Sequence, residues 1–307
     1  RTDPSAVPDL VERARAGQAR AVARLVSLVE DESPLLRPVM AALAPHTGRA
    51  HVVGLTGAPG VGKSTSTNAL IGALRAAGRS VGVLAVDPSS PFSGGALLGD
   101  RIRMQEHAAD DAVFIRSMAS RGHLGGLSFT TPQAVRVLDA AGFDVVLVET
   151  VGVGQSEVEV AGLADTTMVL LAPGMGDGIQ AAKAGILEVG DLYVVNKADR
   201  DGADRLRRDL RAGLALTERA ADAWQPPILA TVAQTGQGVD EVVEGLEQHR
   251  TWLQETGQLA VRRARRARAE VEAVAVAALR TRWELGDHSP LAGEQDPYAA
   301  ADALLGE

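Results

Sequence analysis

The residues best suited to chemistry form one run, Gly57-Ala58-Pro59-Gly60-Val61-Gly62-Lys63-Ser64-Thr65. It follows the pattern glycine, four residues, Gly-Lys, then Ser or Thr, which is built to hold phosphate. Glycines let the backbone curl so that successive N–H groups point inward, and a helix starting at the end of the run adds its partial positive charge. Lys63 would reach the β- and γ-phosphates as a point charge, and the Ser64 hydroxyl would ligate a bridging Mg2+.

Three further groups fit the same chemistry. Asp87 and Asp100 stand at the two ends of a glycine-rich segment that would fold over a bound nucleotide, and either carboxylate could hold Mg2+ or its water shell. Their alternative readings are turn chemistry before Pro88 and a helix N-cap. Glu149 closes the apolar run Phe143-Asp144-Val145-Val146-Leu147-Val148 and precedes Thr150-Val151-Gly152. A carboxylate there would organise Mg2+ and position the attacking water, with the Gly152 N–H offered to the γ-phosphate. Val153 carries no polar group that could orient water. Asn196-Lys197-Ala198-Asp199 decides the base. Guanine presents N1–H and a 2-amino group side by side, so one ionised aspartate accepts from both; adenine has no such pair. Asp199 would read guanine, Lys197 would lie along the ring, and Asn196 would tie this loop to the phosphate loop. Val232, Ala233 and Gln234 occupy the place of the loop that supports the guanine O6 through a backbone N–H.

The elements that must position these residues alternate. Short apolar runs at 51–56, 81–86, 112–116, 143–149, 166–171, 191–196 and 227–230 read as strands, most of them separated by helical patterns. Such alternation predicts an α/β fold, a P-loop nucleotidase with a mainly parallel sheet covered by helices. Ligands on these sheets bind beyond the carboxyl ends of the strands, where the polar motifs fall. Residues 9–30 read as one amphipathic helix with Asp9 as N-cap, and a second short helix ends at Leu43. Residues 258–285 form a long helical pattern carrying Arg262, Arg263, Arg265, Arg266 and Arg268, an anion-binding patch or, more simply, a solvated face. The expected organisation is an N-terminal helical extension over 1–48, a nucleotidase domain over 49–249 and a C-terminal helical region over 250–307.

Composition narrows the classes. The 307 residues are 46% hydrophobic, enough for a sizeable core. A net charge of −8 gives the whole molecule no bias toward nucleic acid or anionic membrane, so neither is an expected partner. There is no cysteine, which removes disulfides, thiolate metal sites and a cysteine nucleophile and suits a reducing compartment. No apolar run approaches the roughly 18 residues needed to span a bilayer. The expected location is the cytoplasm; because the chain begins at Arg1, an upstream targeting segment stays open.

With Gly57 to Thr65, Val86-Asp87-Pro88-Ser89-Ser90, Gly99-Asp100-Arg101-Ile102-Arg103-Met104, Arg116 through Gly126, Glu149 through Glu157 and Asn196 to Asp199 in order, the chain resembles the MeaB-type GTPases. The resemblance implies a GTP/GDP-binding, Mg2+-dependent enzyme that gates cofactor loading and protection of an adenosylcobalamin-dependent acyl-CoA mutase. It also implies a homodimer whose C-terminal helices meet, making 250–307 a dimerisation arm. A further loop that couples nucleotide to partner maps onto Gly176 to Lys183, which puts Lys183 among the candidate catalytic groups with Lys63 and Glu149. From the residues alone, Asp177 is a plain helix start. Arg103 and Arg121 are other cations that a partner could bring to bear. Rival functions are a metal-insertion GTPase, which normally needs Cys and His clusters, and an ATP-dependent transport-system protein kinase, which Asp199 argues against. A nucleotide-locked dimer without turnover is the third.

Overall fold

Residues 3–87, 107, 109–119, 130–150, 156–174, 187–216, 220 and 222–284 are described in the computed structural model. The chain divides into two compact units, Arg1–Ala260 and Val261–Glu307.

The first unit is built on seven strands: β1 (His51–Thr56), β2 (Val81–Asp87), β3 (Val113–Ala119), β4 (Val145–Thr150), β5 (Thr166–Leu171), β6 (Leu192–Val195) and β7 (Ile228–Ala230). Their order in the sheet is β3-β2-β4-β1-β5-β6-β7, and every neighbouring pair is parallel. The expected strands all form, with ends displaced by at most a few residues. β1, β4, β5 and β6 are buried along their whole length, as strands covered on both faces must be.

The pleat sends alternate residues to opposite faces. Val146 and Val148 of β4, with Val52, Leu84 and Val86, share one core with helices α1 (Val7–Arg15), α2 (Ala19–Glu30), α3 (Leu36–Leu43), α5 (Thr131–Ala140) and α6 (Ser156–Leu163). Val145 and Leu147, with Val53, Leu55, Val83 and Met168, share the other with α4 (Lys63–Ala76) and α8 (Val239–Glu255). A third cluster joins β5 and β6 to α7 (Ala203–Ala215). Beneath β1 and β5, at the end where the strands begin, His51 Nε2, Thr166 Oγ1 and His249 Nδ1 form a buried chain with spacings of 2.7 and 2.8 Å.

The single helix expected over 9–30 is two. The periodicity runs through both, but Gly17 takes φ +79, outside the helical range, and α1 ends at Arg15 while α2 starts at Ala19. Asp9 accordingly lies in the first turn of α1, whose N-cap is Ala6. These helices are tied to the edge of the sheet by an ion pair between Glu30 of α2 and Arg116 of β3, with the Ser27 hydroxyl 3.2 Å from the same guanidinium.

Helix α9 (Gln258–Glu284) runs through the start of the second unit, and no helix among the described residues is long and apolar enough to cross a membrane.

Candidate functional site

The carboxyl ends of β1, β4 and β6 bring three of the expected groups together. After β1 the chain turns through Gly57, at φ +146, and Gly62, at φ +96, before α4 starts at Lys63. Neither glycine tolerates a side chain. A Cβ on Gly57 would collide with the Leu170 carbonyl oxygen, and one on Gly62 would lie 2.5 Å from Asn196 Nδ2. The loop is therefore a cradle pressed against β5 on one side and the Asn196 loop on the other. The first N–H groups of α4 have no partners within the helix and sum with its dipole at the cradle, which suits an anion.

Lys63 Nζ donates to the carbonyls of Gly57 at 2.7 Å and Ala58 at 3.2 Å, folding back over the loop it follows. Register places Glu149 beside Leu55, one residue before the end of β1. Its carboxylate, 4% exposed, receives the Ser64 hydroxyl on Oε1 and the Thr67 hydroxyl on Oε2, each at 2.9 Å. A buried carboxylate in contact with the serine of a phosphate loop is a donor set for a hard divalent cation, so these residues fit Mg2+. Thr67 was not among the residues singled out from the sequence. The sequence shows only that it follows Ser64 by three positions on the same face of the helix; the contact with Glu149 is tertiary.

Asn196 is buried and joins three segments. Nδ2 donates to the Val61 carbonyl at 2.9 Å, and Oδ1 accepts from the Ala233 N–H at 3.1 Å and the Thr231 hydroxyl at 3.3 Å. The tie to the phosphate loop expected of Asn196 is thus formed, and it extends to the loop after β7. Lys197, in the left-handed region at φ +56, donates from Nζ to the Gly60 carbonyl at 2.7 Å. Asp199 is exposed beside it. In the last loop the Val232 N–H donates to the Gln237 carbonyl at 2.9 Å, closing a tight turn, and Gln234 is exposed.

Asp87 ends β2 opposite Ala119, and its side chain lies outside the described residues. Asp100, Gly152 and Lys183 lie outside them altogether, as do Arg103, Arg121 and the segment Gly176 to Lys183. Among the described residues no group of three or more His, Asp or Glu side chains is placed to hold a metal ion by itself; the described donors beside the phosphate loop include the Ser64 hydroxyl and the Glu149 carboxylate.

Comparison with known proteins shows what the chain resembles. The family model described as methylmalonyl-CoA mutase-associated GTPase MeaB matches residues 22–286. A Pyrococcus horikoshii protein named as a GTPase is 47% identical, over 97% of this chain and 97% of its own length. The Escherichia coli GTPase ArgK is 41% identical over 81% of this chain and 77% of its own. Among solved structures, one described as a LAO/AO transport system kinase superposes with a TM-score of 0.71 at 28% identity, covering 99% of this chain and 98% of that one.

Proposed function

The chain belongs to the MeaB family of GTPases, and from that premise we propose that it hydrolyses GTP to gate cofactor loading and protection of an adenosylcobalamin-dependent acyl-CoA mutase, methylmalonyl-CoA mutase in the first instance. Support for the client comes from the family's description, which names that mutase. Support for the chemistry comes from one contact above all: the Ser64 hydroxyl on the Glu149 carboxylate, which joins the phosphate loop to the end of β4.

In this reading the loop Gly57 to Thr65 and Lys63 hold the β- and γ-phosphates, with the Gly152 N–H on the γ-phosphate. Lys63 already faces the loop's own carbonyls and needs only to swing from Gly57 O and Ala58 O to phosphate. Ser64, Asp87, Asp100 and Glu149 are the residues that would hold Mg2+. Bound there, the cation would neutralise negative charge that builds up on the phosphates. Glu149 positions the attacking water, directly or through the cation. Asp199 accepts from the guanine N1–H and 2-amino group, Lys197 covers the ring, Asn196 fixes the distance between base loop and phosphate loop, and the loop carrying Val232, Ala233 and Gln234 meets O6. Asp199 is also what favours GTP over the ATP of a protein kinase.

Two further parts belong to the proposal. The organisation is an N-terminal helical segment over 1–48, a GTPase domain over 49–249 and a C-terminal arm over 250–307 that forms a homodimer. On α9, Ala260, Ala264, Ala267, Val271, Val274, Ala278 and Thr281 recur at alternating spacings of three and four, and all are exposed. That is the seam of a left-handed helix pair, built here from small residues that allow close approach. Second, Val153 stands where a polar side chain would orient water, so hydrolysis by the isolated protein is slow and the client completes the site, with Lys183 as the cation brought in. Electrostatic completion of this kind is worth about 10³–10⁵ in rate when an arginine supplies it. The test is GTP turnover with and without an acyl-CoA mutase from the same source. Acceleration by the mutase is expected; an unchanged rate would remove the client from the account and leave the GTPase.

A further inference from the structure

Glu149 is gripped from both sides by one turn of one helix. Ser64 donates to Oε1 and Thr67 to Oε2, and the two donors are three residues apart on α4. Thr67 is completely buried. Its hydroxyl also lies 3.0 Å from the Lys63 carbonyl oxygen, so its single proton has two acceptors within reach. An ionised carboxylate is the stronger of the two, since hydrogen bonds to charged acceptors are roughly twice as strong as neutral ones. A threonine inside a helix commonly bonds back to the carbonyl four residues earlier and does nothing else. Here the same hydroxyl spans 82 positions of sequence to reach the carboxylate.

We infer that Thr67 is a positioning residue for hydrolysis: it fixes the rotation of the Glu149 carboxylate, so that the oxygen needed for water keeps its direction when Ser64 is engaged by a cation. Ser64 serves two partners; Thr67 serves the carboxylate and the helix. A carboxylate held at one oxygen only would turn about its terminal torsion, which has a broad, shallow profile. Holding both oxygens removes that freedom before the nucleotide arrives, and pre-set geometry of this kind lowers the barrier of the chemical step without altering ground-state binding. The inference rests on the reading of Glu149 as the residue that positions water.

The experiment uses the full chain with Thr67→Val, which keeps shape and loses the hydroxyl, Thr67→Ser, which keeps the hydroxyl, Glu149→Gln, and the Thr67→Val/Glu149→Gln pair. GTP turnover is measured as kcat and KM, and GDP affinity is measured by calorimetry. Thr67→Val is expected to lower kcat about 10- to 100-fold, the loss of one hydrogen bond to a charged group. KM and GDP affinity should move by less than about three-fold, the mark of an interaction expressed in the transition state alone. Thr67→Ser should restore kcat to within about three-fold of the parent. In the Glu149→Gln background, Thr67→Val should cost little more, because the two act as one unit. If Thr67→Val fails to fold, Thr67→Ala takes its place in each comparison. Parental kcat in the hydroxyl-free variant would overturn the inference. So would equal losses of kcat and GDP affinity, or failure of serine to rescue. Normal turnover by Glu149→Gln would instead overturn the reading of Glu149, which separates the two failures.

Discussion

Substituting alanine for Gly62 tests how the phosphate loop and the base loop depend on each other. Gly62 has φ +96 and ψ 32, a left-handed conformation that costs an L-residue about 1–2 kcal/mol. The new Cβ would also lie 2.5 Å from Asn196 Nδ2. Asn196 cannot yield freely, because its side chain holds Val61, Thr231 and Ala233 at 2.9, 3.3 and 3.1 Å. Displacing it puts three bonds at risk, each worth about 0.5–1.5 kcal/mol net. The sum is a loss of about 3–6 kcal/mol for Gly62→Ala. Gly78 supplies the control, since it has φ +76 at the end of α4 and a Cβ there would meet nothing within 4 Å. Gly78→Ala should therefore cost only the backbone part, about 1–2 kcal/mol. Denaturant unfolding of both variants isolates the Asn196 contribution as the difference, and calorimetry with GDP should show affinity lost in the first and kept in the second. Equal destabilisation of the two, or parental GDP affinity in Gly62→Ala, would refute the idea that Asn196 holds the two loops in register.

Asp199→Asn should weaken GDP binding by about 10-fold or more, the loss of hydrogen bonds to a charged group, and should favour xanthosine diphosphate, whose 2-oxo group accepts from the new amide; unchanged GDP affinity would move base reading elsewhere. Lys63→Ala removes the cation now resting on Gly57 O and Ala58 O and should abolish tight binding of a fluorescent GDP, while retained binding would assign the charge to another group. Asp144 ties the starts of β4 and β2 through the Ser80 N–H and hydroxyl, each at 2.8 Å. Burial alone would raise its pKa, but those bonds hold it below the ordinary 3.8. Its contribution is therefore complete above 3.8 and is lost as pH falls through the lowered native value. The melting temperature of the parent should exceed that of Asp144→Asn at pH 6, and the gap should close below about pH 4; a gap constant with pH would contradict the assignment.

Most of the fold was legible because each strand is an apolar run bounded by turn residues, and parallel strands buried on both faces carry little else. β1 and β5 fall where their sequences put them. The break between α1 and α2 was not legible from periodicity, since both helices bury the same kind of face and only the short turn Ala16-Gly17-Gln18, with Gly17 at positive φ, separates them. Within the site, the phosphate loop and Asn196 could be read because each is a local pattern with a definite partner. Thr67 could not, because its role depends on the tertiary register that sets Glu149 beside the first turns of α4. Likewise no pattern in the sequence says that Asn196 would also reach the loop after β7; that contact follows from the parallel pairing of β6 with β7.

In the proposed function, nucleotide at this site and an acyl-CoA mutase are coupled. Binding couplings are reciprocal, so a mutase that distinguishes the two nucleotide states must be bound differently by them. The direct measurement is the affinity of the full chain for the mutase, once with GDP and once with a non-hydrolysable GTP analogue, at equal Mg2+. Tighter binding in the GTP-like state is expected, by about 5- to 150-fold, the usual range of such couplings. Identical affinities in the two states would contradict it.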